Sequence, residues 1–138
     1  MKPLYILDAC AMLAVFAKEP GADKVVEIYM QAENSTAVLT MNKLNLLEVY
    51  YDIFRNYGKE RADSFLAEVK KSPITIFHEI TDSLFAEAGR LKATYKISLA
   101  DSFAVAQAIT SHGSLVTCDH HEFDTLDGKE NVKFTWIR

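Results

Sequence analysis

At 138 residues, with 49% hydrophobic and 25% charged side chains, the chain carries enough apolar material to bury a core without metal or disulfide staples, which excludes a disordered chain and a cysteine-built scaffold. Fifteen Lys and Arg against nineteen Asp and Glu leave a net charge of −4. That balance excludes a protein gripping nucleic acid over its whole surface, though not one with a local basic patch.

Cys10 and Cys118 are too few for a disulfide framework and are spaced unlike a zinc site. Asp8 interrupts the one stretch that could pass for a signal peptide, and no run approaches the roughly 20 apolar residues of a membrane span. The expectation is a soluble protein of a reducing compartment, one domain over residues 1–138, with no membrane partner.

Residues 4–7, LYIL, form an apolar run that predicts a buried strand ending at Asp8. Residues 9–17 predict a helix broken at Pro20-Gly21, and residues 22–32 an amphipathic helix with Asp23, Lys24 and Glu27 among its apolar positions. A second strand is predicted at 37–40, then a strongly apolar helix over 42–57 stopped by Gly58, and a further helix over 59–71 stopped before Pro73. A third strand at 74–77 precedes a helix over 82–95. Ser98 opens the helix LADSFAVAQAIT, with Gly113 in the expected C-terminal position. Strands follow at 115–118 and 132–136. Strands alternating with helices of ten or more residues call for a mostly parallel sheet covered on both faces, with the ligand site outside the carboxyl ends of the strands.

Carboxylates are what the chain places there. Asp8 directly follows the first strand, Asp119 the fourth, Asp101 sits in the first turn of the Ser98 helix, and Glu48 lies in the helix after the second strand. Taken singly, Asp8 and Asp119 suit helix N-caps, and Asp119-His120-His121-Glu122 and Ser98-Leu99-Ala100-Asp101 both fit capping boxes. Glu48 sits at the edge of a narrow polar stripe with Asp52 and Arg55. It is either solvated or buried with a partner, since burying it alone costs several kcal/mol.

Together the acids say more than each alone. Carboxylates converging on one edge repel unless a cation holds them ionised, and a hard ion such as Mg²⁺ or Mn²⁺ suits oxygen ligands and waters. Such sites hydrolyse phosphodiesters through a metal-activated water, and helix N-termini at the same edge add partial positive charge for a phosphate. Setting the four acids aside leaves fifteen acidic residues against fifteen basic ones, so the remainder of the surface does not repel an RNA backbone.

In this order the motifs LDACAMLAVF, KEPGADKVVEI, MNKLNLLEVYY, YKISLADSFAVAQAI and LVTCDHHEF resemble those of PIN-domain proteins, above all the VapC-type toxins of bacterial and archaeal toxin–antitoxin pairs. The resemblance runs along essentially the whole chain. It implies a three-layer α/β/α fold with about five short, mostly parallel strands. It also implies a cytoplasmic Mg²⁺- or Mn²⁺-dependent endoribonuclease in which Asp8, Glu48, Asp101 and Asp119 hold the metal. Asp8 is expected to ligate most directly, with Thr117 in support; apart from the resemblance, Glu122 either assists the site at longer range or closes the capping box. A homodimer silenced by a cognate antitoxin in the acidic groove is implied as well. Cys10 departs from the resemblance, standing where the family commonly has Ser or Thr. A thiol is a weak donor and a poor ligand for a hard cation, so the rate is what it puts in doubt.

Other features have plainer accounts. His120 and His121 lack zinc-ligand spacing and read as a solvated turn. Cys10 and Cys118 each neighbour a proposed ligand, which admits a redox switch, although small buried apolar groups are the commoner use. Tyr50, Tyr51 and Tyr57 could stack on bases, but helix packing is the commoner use of such spacing. The competing function is a weak or inactive PIN-like module that binds RNA or a protein partner. Aspartyl-phosphate chemistry does not fit, because Asp8-Ala9-Cys10 offers neither an acidic pair nor Asp-x-Asp.

Overall fold

The computed structural model describes all 138 residues. In chain order these form β1 (Leu4–Leu7), α1 (Ala9–Phe16), α2 (Ala22–Glu33), β2 (Val38–Asn42), α3 (Lys43–Tyr57), α4 (Lys59–Lys71), β3 (Thr75–Phe77), α5 (Asp82–Thr94), α6 (Leu99–Ser111), β4 (Ser114–Thr117), α7 (His120–Phe123) and β5 (Lys133–Trp136). The expected elements are all present, with ends shifted by a residue or two, as fraying and capping produce. The short α7 grows from the Asp119 capping turn.

The strands lie in the order β3-β2-β1-β4-β5, and every neighbouring pair is parallel, so the sheet is parallel throughout. The chain moves outward from β1 through β2 to β3, then returns to lay β4 on the other side of β1. That reversal opens a crevice at the carboxyl ends of β1 and β4.

Strand alternation divides the core into two layers. Leu7, Leu39, Met41 and Val116 face a cluster with Ala11, Val25, Val49 and Ile53 from α1, α2 and α3. Ile6 and Leu115 face the opposite way, against Leu84, Leu91, Phe103 and Ala104 from α5 and α6. This is the three-layer α/β/α arrangement. No helix is long and apolar enough to cross a membrane.

Side chains start the helices that matter for the crevice. The Asp8 carboxylate accepts from the Ala11 amide at 2.8 Å, Asn42 accepts from Leu44 at 2.8 Å, and Ser98 accepts from Asp101 at 3.1 Å. Each satisfies an amide that helix geometry leaves without a partner.

Gly113 serves a purpose other than the expected one. His112 takes the left-handed position that ends α6, with φ 58°, while Gly113 is needed for space. A Cβ there would meet Ile6 Cδ1 at 2.3 Å and Leu4 Cγ at 3.0 Å. Gly113→Ala is expected to destabilise the fold by about 1–3 kcal/mol through overpacking, measured as a lower urea midpoint at unchanged slope.

Candidate metal centre

A cleft of about 360 Å³ opens at the crevice, with Glu48, Asp101 and Asp119 in its wall together with Glu19 and Asp52, and no Lys or Arg among its lining residues. Asp8 lies beneath, only 1% exposed.

Asp8 has both oxygens engaged. One accepts from the Ala11 amide at 2.8 Å and the other accepts a very short hydrogen bond from the Thr117 hydroxyl. The Thr117 oxygen in turn accepts from the Asp119 amide at 3.0 Å. One hydroxyl therefore ties the turn after β1 to the turn after β4. Asp119 also accepts from the Glu122 amide at 3.2 Å, so the capping account holds for both acids. It does not compete with a functional account, because a caps-only carboxylate would have no reason to share a cleft with two others.

Asp101 is brought to Glu48 by Asn45, which is not among the candidates named from sequence. Asn45 is fully buried and donates to the Ala100 carbonyl at 3.2 Å, pinning the start of α6 to α3. Its place three residues before Glu48 on an otherwise apolar helix was the available signal.

The electrostatics match this crowding. Burial is the main force pushing the Asp8 carboxyl up to about 7, with Asp101 and Asp119 adding to it against the Thr117 and Ala11 hydrogen bonds. Burial likewise pushes Asp101 to about 7, with Ser98 opposing and Glu48, Asp119 and Glu122 adding. Glu48 is raised by burial first, then by Asp119, Asp52 and Glu122. Glu122 is thus within electrostatic reach, although it does not line the cleft.

No three Asp, Glu, His or Cys side chains are drawn together tightly enough to chelate one ion. The donor set nevertheless fits a hard divalent cation. It is all carboxylate, it holds no basic side chain, and Glu48 keeps a buried Oε1 with no hydrogen-bond partner, an acceptor that wants a cation or a donor.

His120 points elsewhere. Its ring stacks on Trp136 with centroids 3.8 Å apart, while its nitrogens reach Asp124 Oδ1 and the Arg138 carbonyl, each at 2.8 Å. Two acceptors on one ring favour the imidazolium, and its pKa is raised accordingly. His120 fastens the end of β5; His121 is solvent-exposed.

Cys10 and Cys118 depart from the expectation of small apolar groups: they are joined in a disulfide with Cα atoms 6.0 Å apart. The bridge links α1 to the residue between Thr117 and Asp119. The signal lay in adjacency, since each cysteine sits within two residues of an acid assigned to the same edge.

Residues 5–129 match the PIN domain family. The chain belongs to the PIN domain family. No curated protein matches it in sequence. Among solved structures, it is similar to VapBC-1 from nontypeable Haemophilus influenzae, at 15% identity and a TM-score of 0.74 over 97% of this chain and 98% of that one. VapBC2 from Rickettsia felis, solved bound to a promoter DNA fragment, gives 18% identity and 0.72 over 96% and 98%. Mycobacterium tuberculosis VapC20, described as a Sarcin-Ricin loop cleaving toxin, gives 14% and 0.64 over 90% and 95%. At these identities the structural likeness speaks for the fold of this PIN-domain protein.

Proposed function

We propose that this PIN-domain protein is a Mg²⁺- or Mn²⁺-dependent endoribonuclease of the cytoplasm, the toxin of a toxin–antitoxin pair. The observation that carries the reading is the cleft itself, where Glu48, Asp101 and Asp119 line a wall without a basic residue, within electrostatic reach of the buried Asp8. Asp8, Glu48, Asp101 and Asp119 would hold the ion, Asp8 from its buried side. When bound, the ion supplies Lewis-acid charge at the scissile phosphate and makes water a competent nucleophile near neutral pH. Asp8 adds negative charge from beneath and anchors Asp119 through Thr117, while Asn45 holds Asp101 against Glu48. The Cys10 side chain occupies the wall where a hydroxyl would have donated, and as half of a disulfide it donates nothing.

The outer end of the cleft suits a single-stranded substrate. Phe16 and Tyr57 both line it, their rings packed edge to face at 5.2 Å. The Arg61 guanidinium lies 5.3 Å from the Phe16 ring and 5.4 Å from the Tyr57 ring. A half-exposed tyrosine beside a guanidinium offers a base a stacking face and a phosphate a positive charge. Tyr57→Ala is expected to raise KM for a short single-stranded RNA by about fivefold to a hundredfold, since stacking is worth about 1–3 kcal/mol per base, with kcat nearly unchanged.

Two apolar surfaces are consistent with an antitoxin and a second copy. A groove of about 440 Å³ runs beside the cleft among Met12, Val15, Val26, Met30 and Phe65, and Phe16 borders both. An antitoxin laying an apolar helix in the groove and a cation in the cleft would cover the site. Leu47, Tyr51 and Phe54 leave one face of α3 exposed and available to a homodimer.

The test is cleavage of single-stranded RNA by purified protein with Mg²⁺ or Mn²⁺, beside chelated and Asp101→Asn controls. Attack by water leaves linear phosphate ends. Products ending in 2′,3′-cyclic phosphate would show attack by the ribose hydroxyl and overturn the mechanism. Binding of RNA with no products would favour the inactive module instead.

A further inference from the structure

Two separate ties join the same two turns of the acidic cleft. One is the hydrogen bond from the Thr117 hydroxyl to Asp8; the other is the disulfide between Cys10 and Cys118. Cys10 is two residues beyond Asp8, and Cys118 stands between Thr117 and Asp119. The bridge therefore clamps the segment carrying Asp8 to the segment carrying Asp119, against the repulsion that Asp101 and Asp119 exert on the Asp8 carboxylate. With the bridge open, the Thr117 hydroxyl is the one side-chain tie left against that repulsion, beside the backbone bond from the Asp8 amide to the Val116 carbonyl at 3.3 Å. Cys10 lines the cleft whereas Cys118 is 9% exposed, so one sulfur is open to a small reagent and the other is shielded.

We propose that the Cys10–Cys118 disulfide is a redox-controlled brace of the metal site: closed, it ties the Asp8 turn to the Asp119 turn and limits how far the two acids can separate, and opened by thiol exchange it lets the site loosen and its metal affinity fall. This inference rests on the reading of the cleft as a metal site. The exchange balances with a low-molecular-weight thiol as reductant. Its thiolate attacks the Cys10 sulfur, forming a mixed disulfide and expelling Cys118 as a thiolate that takes up a proton. A second thiol attacks the small-molecule sulfur of the mixed disulfide, releasing Cys10 as a thiol and leaving the small-molecule disulfide. Two electrons and two protons pass to the bridge, and the small-molecule disulfide reverses the reaction. In reducing compartments, disulfides that do form are mostly transient and redox-sensing.

Linkage makes the inference testable without RNA. If the bridge strengthens metal binding by some factor, the metal must favour the bridge by the same factor. Mn²⁺ binding is measured by calorimetry on the oxidised and the reduced full-length protein. The bridge's equilibrium is measured by thiol trapping in cysteamine–cystamine buffers, with and without saturating Mn²⁺. A cationic thiol suits a cleft whose charged lining is entirely acidic.

We expect Mn²⁺ to bind about tenfold more weakly after reduction, within the usual range of coupling between sites, and to shift the trapping equilibrium toward the bridge by the matching factor. The Cys10→Ala/Cys118→Ala protein should bind like the reduced form and ignore the redox buffer. Equal affinity in both redox forms, with binding still lost in Asp8→Asn, would overturn the brace and leave the metal site standing. No Mn²⁺ binding in either form would sink both readings, and trapping that finds two free thiols even in the most oxidising buffer would sink the brace alone.

Discussion

Asp8→Asn should abolish RNA cleavage, with a loss of at least about a hundredfold, because a metal centre supplies several kcal/mol of transition-state stabilisation and each 1.4 kcal/mol is tenfold. The variant should also lose saturable Mn²⁺ binding in calorimetry. The fold should survive, for a reason visible in the hydrogen bonds. Asn keeps an oxygen to accept from the Ala11 amide, 2.8 Å from the native carboxylate oxygen. Its amide nitrogen can donate to the Thr117 hydroxyl oxygen, which has a second lone pair beyond the one facing Asp119. Above pH 7 the metal-free variant should be more stable than the parent, since it no longer ionises a buried group. Asp8→Ala makes the contrasting case, removing the acceptor of the Ala11 amide and every partner that Thr117 has at position 8, at a cost of about 1–3 kcal/mol. An Asp8→Asn protein that cut RNA at the parent rate would remove Asp8 from the site altogether.

How far this site could be read in advance depended on whether a residue's neighbours lie near it in sequence. Asp8 and Asp119 were legible because each follows a short apolar run that could only be a strand, and strand ends in a parallel sheet share one edge. Asp101 was legible from Ser98, whose hydroxyl caps the helix at the amide of Asp101. For Glu48 the sequence admits a solvated and a buried account, and the structure makes it half-buried with one oxygen lacking a partner. That outcome depends on how α3 leans against α6, which no local pattern encodes. The disulfide joins positions 108 residues apart. It becomes visible only when the β1–β4 register, Leu7 beside Val116, sets the two turns side by side. The stacking of His120 on Trp136 depends in the same way on where β5 ends. Local chemistry was readable, and pairings set by strand register or helix tilt were not.

The same buried acids should give the metal-free protein a stability that falls as pH rises toward neutrality. Asp8 has its folded pKa pushed up to about 7 by burial, whereas an unfolded Asp titrates near 3.9. Between those values the folded state holds a proton that the unfolded state has released, so the stabilisation is complete below about pH 4 and is lost progressively up to about pH 7. A shift of that size corresponds to roughly 4 kcal/mol for Asp8, and Asp101, also raised to about 7, moves stability the same way. The two groups repel each other, so their contributions are not additive. Against a typical domain stability of about 5–15 kcal/mol this is a large effect. Urea unfolding in chelator at pH 5 and pH 8 should show it as a lower midpoint at pH 8, and Asp8→Asn should remove much of the difference. Saturating Mn²⁺ should reverse the sign, because ligand carboxylates must shed their protons to bind and the ion then stabilises the fold most at the higher pH. A metal-free protein equally stable at both values would mean that these carboxylates are ionised and solvated, and the cleft would have no deficit of positive charge for an ion to fill.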